Sequence, residues 1–212
     1  MKSLQTIAHS EKYKINTVYH TQPLPSFIND NAEITLVNID ERMMKSISLL
    51  NTPSTILTLV ETLSSHSSGW NRAIYLDAVQ DPGNVGTIIR IADWFGIDTV
   101  IRSPDSADYY SPKVIQSTMG AFANVQLLEM ENDGLLKSNS YFIAADMGGV
   151  DIKDANVQES FTLIVGSEGQ GLSPIFNNKK IQKVSIQGHS ARLSESLNVS
   201  VATGIICAVL TG

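Results

Sequence analysis

The chain has 212 residues, a net charge of −6 and a single cysteine. That length buries a substantial core in one or two domains. The acidic balance excludes a generic nucleic-acid coat, which needs broad positive surface, but not an enzyme that meets RNA through a local basic patch.

Residues 1–10 lack the apolar stretch of a signal peptide and read as a short helix, and no run is long enough to span a bilayer. These features and the lone Cys207 point to the cytoplasm, with Cys207 packed in an apolar run. No Cys/His cluster has metal-ligand spacing, so no metal is expected. Ile15 to Tyr19, Ile34 to Asn38 and Ile56 to Val60 read as strands. Asp40 is placed to cap a helix with Met43, Met44, Ile47 and Leu50 as its apolar positions. A Ser/Gly-rich stretch then marks a linker at 65–71, dividing a domain at 1–64 from one at 72–212.

Beyond the linker, strands and helices alternate, which predicts an α/β fold with a parallel sheet flanked by helices. Ala73 to Leu76, Thr99 to Ile101, Tyr141 to Ala145, Phe161 to Val165 and Lys183 to Ile186 are the strand candidates. Pro82-Gly83 reads as a turn before a helix from Gly86 to Phe95, stopped at Gly96. Ser111-Pro112 and Ser173-Pro174 read as helix starts. The last helix, Ser200 to Leu210, has almost no polar face, so it is covered by its own chain or by a second subunit.

Three segments follow strand-like runs and carry small or polar residues. In open α/β sheets, ligands bind outside the carboxyl ends of the strands. The first segment is Asp81-Pro82-Gly83-Asn84-Val85-Gly86, with Arg90 a turn further on. Asn84 reads either as a helix cap or as a site residue. Arg90, inside an apolar pattern, needs either a phosphate or a carboxylate such as Asp77, Asp81 or Asp93. The second, Gly166-Ser167-Glu168-Gly169-Gln170-Gly171, lets backbone approach a flat ligand. Its glycine spacing is that of neither a Rossmann nor a P-loop motif. Glu168 suits a ribose hydroxyl, a ligand ammonium or Arg90. The third, Ser196-Leu197-Asn198, precedes the apolar helix and offers two capping residues. Lys179, Lys180 and Lys183, with Arg102, Lys113 and Arg192, form one candidate basic patch or else are solvated singly.

Together these segments resemble the three motifs of the SpoU-type (TrmH-like) RNA ribose methyltransferases of the SPOUT class. Asp81 to Gly86 with Arg90, Ala92 and Gly96 is similar to motif 1. Gly166 to Ser173 is similar to motif 2, and Ser196 to Ala202 to motif 3. Ser117-x-x-Gly120-Ala121 also looks like the family, and the likeness covers residues 72–212. It implies a C-terminal trefoil knot, a homodimer, and S-adenosylmethionine as methyl donor to the 2′-hydroxyl of a ribose in structured rRNA or tRNA. By motif position it implies Asn84, Arg90, Glu168, Ser196 and Asn198 as catalytic residues, with Gly166, Ser167, Gly169, Ile186 and Leu197 at the cofactor. Residues 1–64 resemble the end of the family's RNA substrate-binding domain. The family's usual Ile-Pro-Met is here Ile186-Gln187-Gly188. The alternative on the same scaffold is a non-catalytic RNA-binding or ribosome-assembly protein. A small-molecule methyltransferase is a third reading.

Overall fold

The computed structural model describes residues 2–29, 32–63, 69–138, 140–191 and 193–212. The linker expected at 65–71 and Arg192 lie wholly or mostly outside these. The chain divides into two compact units, 1–66 and 67–212.

In the first unit, α1 (Lys2–Ala8) is followed by β1 (Tyr13–His20), α2 (Ser26–Asn29), β2 (Thr35–Asn38), α3 (Glu41–Ile47) and β3 (Ile56–Thr62). The sheet order is β2-β1-β3. β1 runs parallel to β2 and antiparallel to β3, with a bulge between Ile15 and Thr17. Leu4, Ile7, Tyr13, Ile15, Val18, Ile28 and Met44 form the core. Asp40 caps α3, its carboxylate accepting from the Met43 N–H at 2.7 Å. The helix is shorter than its apolar pattern predicts. It ends at Ser48, whose backbone is extended, so Leu50 lies beyond it, and Met43 and Ile47 are exposed.

The second unit comprises β4 (Arg72–Asp77), α4 (Pro82–Trp94), β5 (Thr99–Arg102), α5 (Pro112–Thr118), a 3₁₀ turn (Ala121–Ala123), β6 (Gln126–Glu129) and α6 (Asn132–Leu136). It continues with β7 (Phe142–Asp151), a 3₁₀ turn (Ile152–Asp154), β8 (Phe161–Gly166), a 3₁₀ turn (Pro174–Phe176), β9 (Gln182–Ser185) and α7 (Val199–Thr211). Its six strands lie in the order β6-β5-β4-β8-β7-β9, and every pair is parallel. Parallel strands are covered on both faces, which is why Ala73 to Leu76 and Phe161 to Val165 are apolar without alternation and buried throughout. Strand order reverses between β4 and β8, so a crevice opens outside their carboxyl ends, where the chain leaves the two strands toward opposite sides of the sheet.

Three local features differ from the sequence expectation. α4 begins at Pro82, with Asp81 as its N-cap (2.9 Å to the Asn84 N–H), because Pro is pre-organised for the first helical position. Pro82-Gly83 is therefore helix, not turn. β6 and α6 are unanticipated, since four and five residues are too few to establish a period. β7 runs past Ala145 to Asp151 through a bulge in which Val184 of β9 pairs with both Ala145 and Val150.

α4 packs on α5 through Gly86. A Cβ there would overlap the Ser117 side chain and lie 2.8 Å from the Val114 carbonyl oxygen. Gly86→Ala is expected to force α4 and α5 apart and to destabilise the protein by about 1–3 kcal/mol. Chemical denaturation checks this; an unchanged midpoint would refute the close packing.

In α7, Val199, Ser200, Thr203, Ile206 and Cys207 are buried, and burial pushes the Cys207 thiol up to about 12. Val201, Ile205 and Val209, four residues apart, remain 51%, 39% and 42% exposed. One chain thus covers only part of this apolar helix.

Candidate functional site

β4 and β8 end side by side, with Asp77 and Gly166 as register partners. Asp77 is buried and accepts from the backbone N–H and, at 2.7 Å, the hydroxyl of Ser173. Ser173 therefore spends its hydroxyl on β4 and makes no side-chain cap on the following turn. Between these anchors the Gly-rich loop folds back on itself, Gly171 N–H donating to Ser167 O at 2.9 Å with Gly171 at φ +68°. A Cβ at Gly166 would overlap the Gly171 carbonyl and lie 2.7 Å from Leu172 N. Only glycine fits there.

The folded-back loop presents Glu168 to two asparagines. Glu168 Oε1 accepts from Asn84 Nδ2 (3.1 Å), Asn198 Nδ2 (2.6 Å) and the Val199 N–H (3.3 Å). Asn198 Nδ2 also donates to Asn84 Oδ1 at 3.0 Å. Asn198 Oδ1 accepts from Ser200 N, Ser200 Oγ and Val201 N, which makes Asn198 the N-cap of α7. Asn198 is thus the cap, and its amide nitrogen also bonds Glu168 and Asn84. Asn84 is not a cap; it sits in the first turn of α4 with its side chain on Glu168. One oxygen of Glu168 thus ties all three segments. The other, Oε2, has no partner among the described residues.

Beside this cluster is a cleft of about 270 Å³, lined by Ala78, Val79, Gln80, Asp81, Asn84, Ser167, Glu168, Gly169, Gln170 and Val199. That is just below the range for sites that enclose a ligand, roughly 300–1,000 Å³. Of the other expected site residues, Ser167 and Gly169 line it; Gly166, Ile186, Leu197 and Asn198 do not. Ser196 is exposed and makes no hydrogen bond to a described residue. Ala78, Val79 and Gln80, which also line it, carried no sequence signal, since none is a residue type with a chemistry of its own.

Arg90 is exposed on α4 with no ion-pair partner among the described residues. The carboxylates that would have answered it are otherwise engaged. Asp77 holds Ser173, Asp81 caps α4, and Asp93 accepts from Asn124 Nδ2 at 3.0 Å. Two members of the expected basic patch, Arg102 and Lys183, lie on strands far apart in the sheet, and each is paired. Arg102 on β5 pairs with Glu129, donates to Ser106 O and stacks on Tyr109. Lys183, on β9 at the opposite edge region of the sheet, pairs with Asp146 at 2.7 Å. That hydrogen bond from Lys183, with one from the Gly148 N–H, holds the Asp146 carboxyl below its ordinary value. Among the described residues no group of three or more His, Cys, Asp or Glu is arranged to hold a metal ion, and no helix is long and apolar enough to cross a membrane.

A parallel sheet with its crevice at the switch point, closed by a carboxylate bonded to two asparagines from the starts of separate helices, defines an α/β protein with a candidate site at its strand ends. The sequence profile of the SpoU rRNA methylase family matches residues 71–208, and the chain belongs to that family. It is 28% identical over 183 residues to the 23S rRNA (guanosine(2553)-2′-O)-methyltransferase of Bacillus subtilis (strain 168), an alignment spanning 82% of this chain and 71% of that protein. It is 31% identical over 145 residues to a TrmH-family protein of Staphylococcus epidermidis, covering 65% of this chain and 57% of the other. Among solved structures, a TrmH-family protein from Porphyromonas gingivalis superposes with a TM-score of 0.83 at 32% identity, over 99% of this chain and 86% of that one. The SpoU methyltransferase AviRb of Streptomyces viridochromogenes, solved with AdoMet, shares the fold at a TM-score of 0.84 and 19% identity, with 99% and 86% covered.

Proposed function

We propose that the protein is an S-adenosylmethionine-dependent RNA methyltransferase that methylates the 2′-hydroxyl of a ribose in structured rRNA or tRNA. The observation that carries this reading is the convergence of Asn84 and Asn198 on one oxygen of Glu168, beside the cleft, while the other oxygen has no partner among the described residues. Family membership and the 2′-O activity named for the Bacillus subtilis relative support it.

The residues present fit S-adenosylmethionine. Gly169 borders the cleft with no atom within 4 Å of its Cβ position, so a flat ring can lie on the backbone. Leu193 and Leu197 are exposed apolar side chains, and no described backbone group of 193–197 pairs with another. Those N–H and C=O groups, which bond to no other described residue, would read an adenine edge. Gly166, Ser167, Gly169, Ile186 and Leu197 would hold the cofactor. When bound, it supplies a methyl group already activated on a sulfonium.

The chain's own task is then to place the ribose and take its proton. Glu168 Oε2 accepts the hydrogen bond of the ribose hydroxyl and aligns it. Asn84 and Asn198 keep the carboxylate in place. Arg90 stays charged, grips a phosphate bidentately and offsets the negative charge growing on the attacking oxygen. Ser196 adds a donor to the same phosphodiester.

We further propose a homodimer, in which a second copy covers Val201, Ile205 and Val209, and a trefoil knot. The knot is supported by the β8-β7-β9 order, which carries the chain from β8 across β7 to reach β9. Residues 1–64 serve RNA recognition, 65–71 are the linker, 72–212 are the methyltransferase domain, and the protein works in the cytoplasm without a metal. The non-catalytic reading draws on Arg90 and Ser196 standing outside the hydrogen-bonded cluster.

Calorimetric titration of S-adenosylmethionine decides between them. Micromolar binding is expected for the wild type. Asn198→Ser retains an N-cap oxygen for α7 but loses both donors to Glu168 and Asn84, and is expected to weaken binding at least about tenfold without loss of fold. No binding by folded wild type would sink the enzymatic reading.

A further inference from the structure

The stretch that Ala78, Val79 and Gln80 contribute to the cleft lining starts at a strained residue. Ala78 has φ +54°, a left-handed conformation that a Cβ disfavours and that isolated chains rarely hold. It is lined up on the cleft with Val79 and Gln80.

Two buried serines from the loop after β5 hold this stretch. Ser103 Oγ accepts from the Ala78 N–H at 2.9 Å, and Ser106 Oγ accepts from the Val79 N–H at 2.9 Å. Ser106 Oγ donates to Leu76 O at 3.0 Å, and the two hydroxyls lie 3.1 Å apart. Backbone bonds close the clasp: Ser103 N–H to Leu76 O at 2.9 Å and Ala107 N–H to Val79 O at 3.0 Å. Both serines are about 5% exposed or less, so neither touches the cleft or solvent to any extent. Strained backbone persists only where the surroundings over-determine it, and such strain gathers at functional sites.

We propose that Ser103 and Ser106 are positioning residues. They hold Ala78 in its left-handed turn and so fix the cleft lining against which the acceptor nucleotide is pressed toward Glu168. The proposal rests on the methyltransferase reading for its catalytic consequence. Its conformational part stands apart from that reading.

Without the clasp, the turn relaxes toward ordinary backbone, and the competent fraction falls on the order of tenfold, the weight of the left-handed penalty. Glycine at 78 carries no such penalty. The test therefore compares wild type, Ser103→Ala, Ser106→Ala, Ala78→Gly and the Ser106→Ala/Ala78→Gly double variant. Solution NMR reads the strong intraresidue amide–Hα contact that marks positive φ at Ala78. Single-turnover methyl transfer, with S-adenosylmethionine and an unmodified rRNA transcript as probes, reads the cleft lining.

The positive-φ signature is expected to vanish in Ser106→Ala while the amide shifts of β8 stay in place. Turnover is expected to fall about tenfold and to return to within about threefold of wild type in the double variant. A purely structural hydroxyl would give a loss that glycine at 78 does not repair, and that result overturns the proposal. So does a positive-φ signature that survives in both serine variants. If wild type transfers no methyl group, the enzymatic reading fails, and the NMR comparison still decides whether the clasp exists.

Discussion

Glu168→Gln is expected to fold normally and to lose methyl transfer by about a hundred- to ten-thousandfold, the range for removing a group that handles the reacting proton. The glutamine carbonyl can take the place of Oε1 and still accept from Asn84, Asn198 and Val199, whose donors are all directed at that one atom. The loop should therefore keep its shape. What changes is the second position, where an amide NH₂ replaces the free carboxylate oxygen beside the cleft. A donor there meets the ribose hydroxyl in the wrong sense and cannot receive its proton. Thermal unfolding and the rate of transfer to rRNA are the two measurements. A Glu168→Gln protein with wild-type rate would remove Glu168 from the chemistry. A Glu168→Ala control should lose stability as well as rate, because it leaves three N–H donors without their acceptor.

Gly166→Ala should have the largest effect on the fold of the site. The added methyl would meet the Gly171 carbonyl and Leu172 N, which are backbone atoms and cannot rotate away as a side chain would. The loop must open, which breaks the Gly171 to Ser167 bond and withdraws Glu168 from the asparagines. We expect a loss of roughly 3 kcal/mol, at the upper end for overpacking, together with loss of S-adenosylmethionine binding. Urea unfolding and calorimetry check the two parts. Full stability with intact binding would mean that the loop tolerates a Cβ and that the tight return is not required. Gly169→Ala is the contrasting control, since open space surrounds that Cβ position; it should spare stability while affecting only the ligand.

Much of the fold was legible because each element carried its own local signal. The unbroken apolar runs at β4 and β8 announced a sheet covered on both faces, and the Asp40 cap, the Ser-Pro starts and the Gly96 stop bounded helices. The three site segments were recognisable because small residues after a strand are rare enough to be noticed together. β6 and α6 escaped because their few residues establish no period. The start of α4 was misplaced because Pro-Gly serves a turn and a helix N-terminus equally well, and only the bond from Asn84 N–H to Asp81 tells them apart.

By itself, the sequence determined the alternation of strands and helices, the parallel sheet, the family, and the identity of Asn84, Glu168 and Asn198 as residues to watch. Only the tertiary structure decided what those residues do to one another. Whether Asn198 is a cap or a ligand of Glu168 depends on two chain segments 30 residues apart meeting within 2.6 Å, and the answer is that it is both. Whether Arg90 pairs with a carboxylate of its own chain was likewise open until Asp77, Asp81 and Asp93 were each seen with another partner. The clasp of Ser103 and Ser106 on Ala78 left no trace in the sequence at all, because it joins ordinary serines to backbone atoms across a parallel strand pair. Propensity and periodicity act over a turn of helix or a few residues of strand. Hydrogen-bond partners at a strand-end site are chosen by how distant segments are brought together, and that choice is made by packing of the whole sheet.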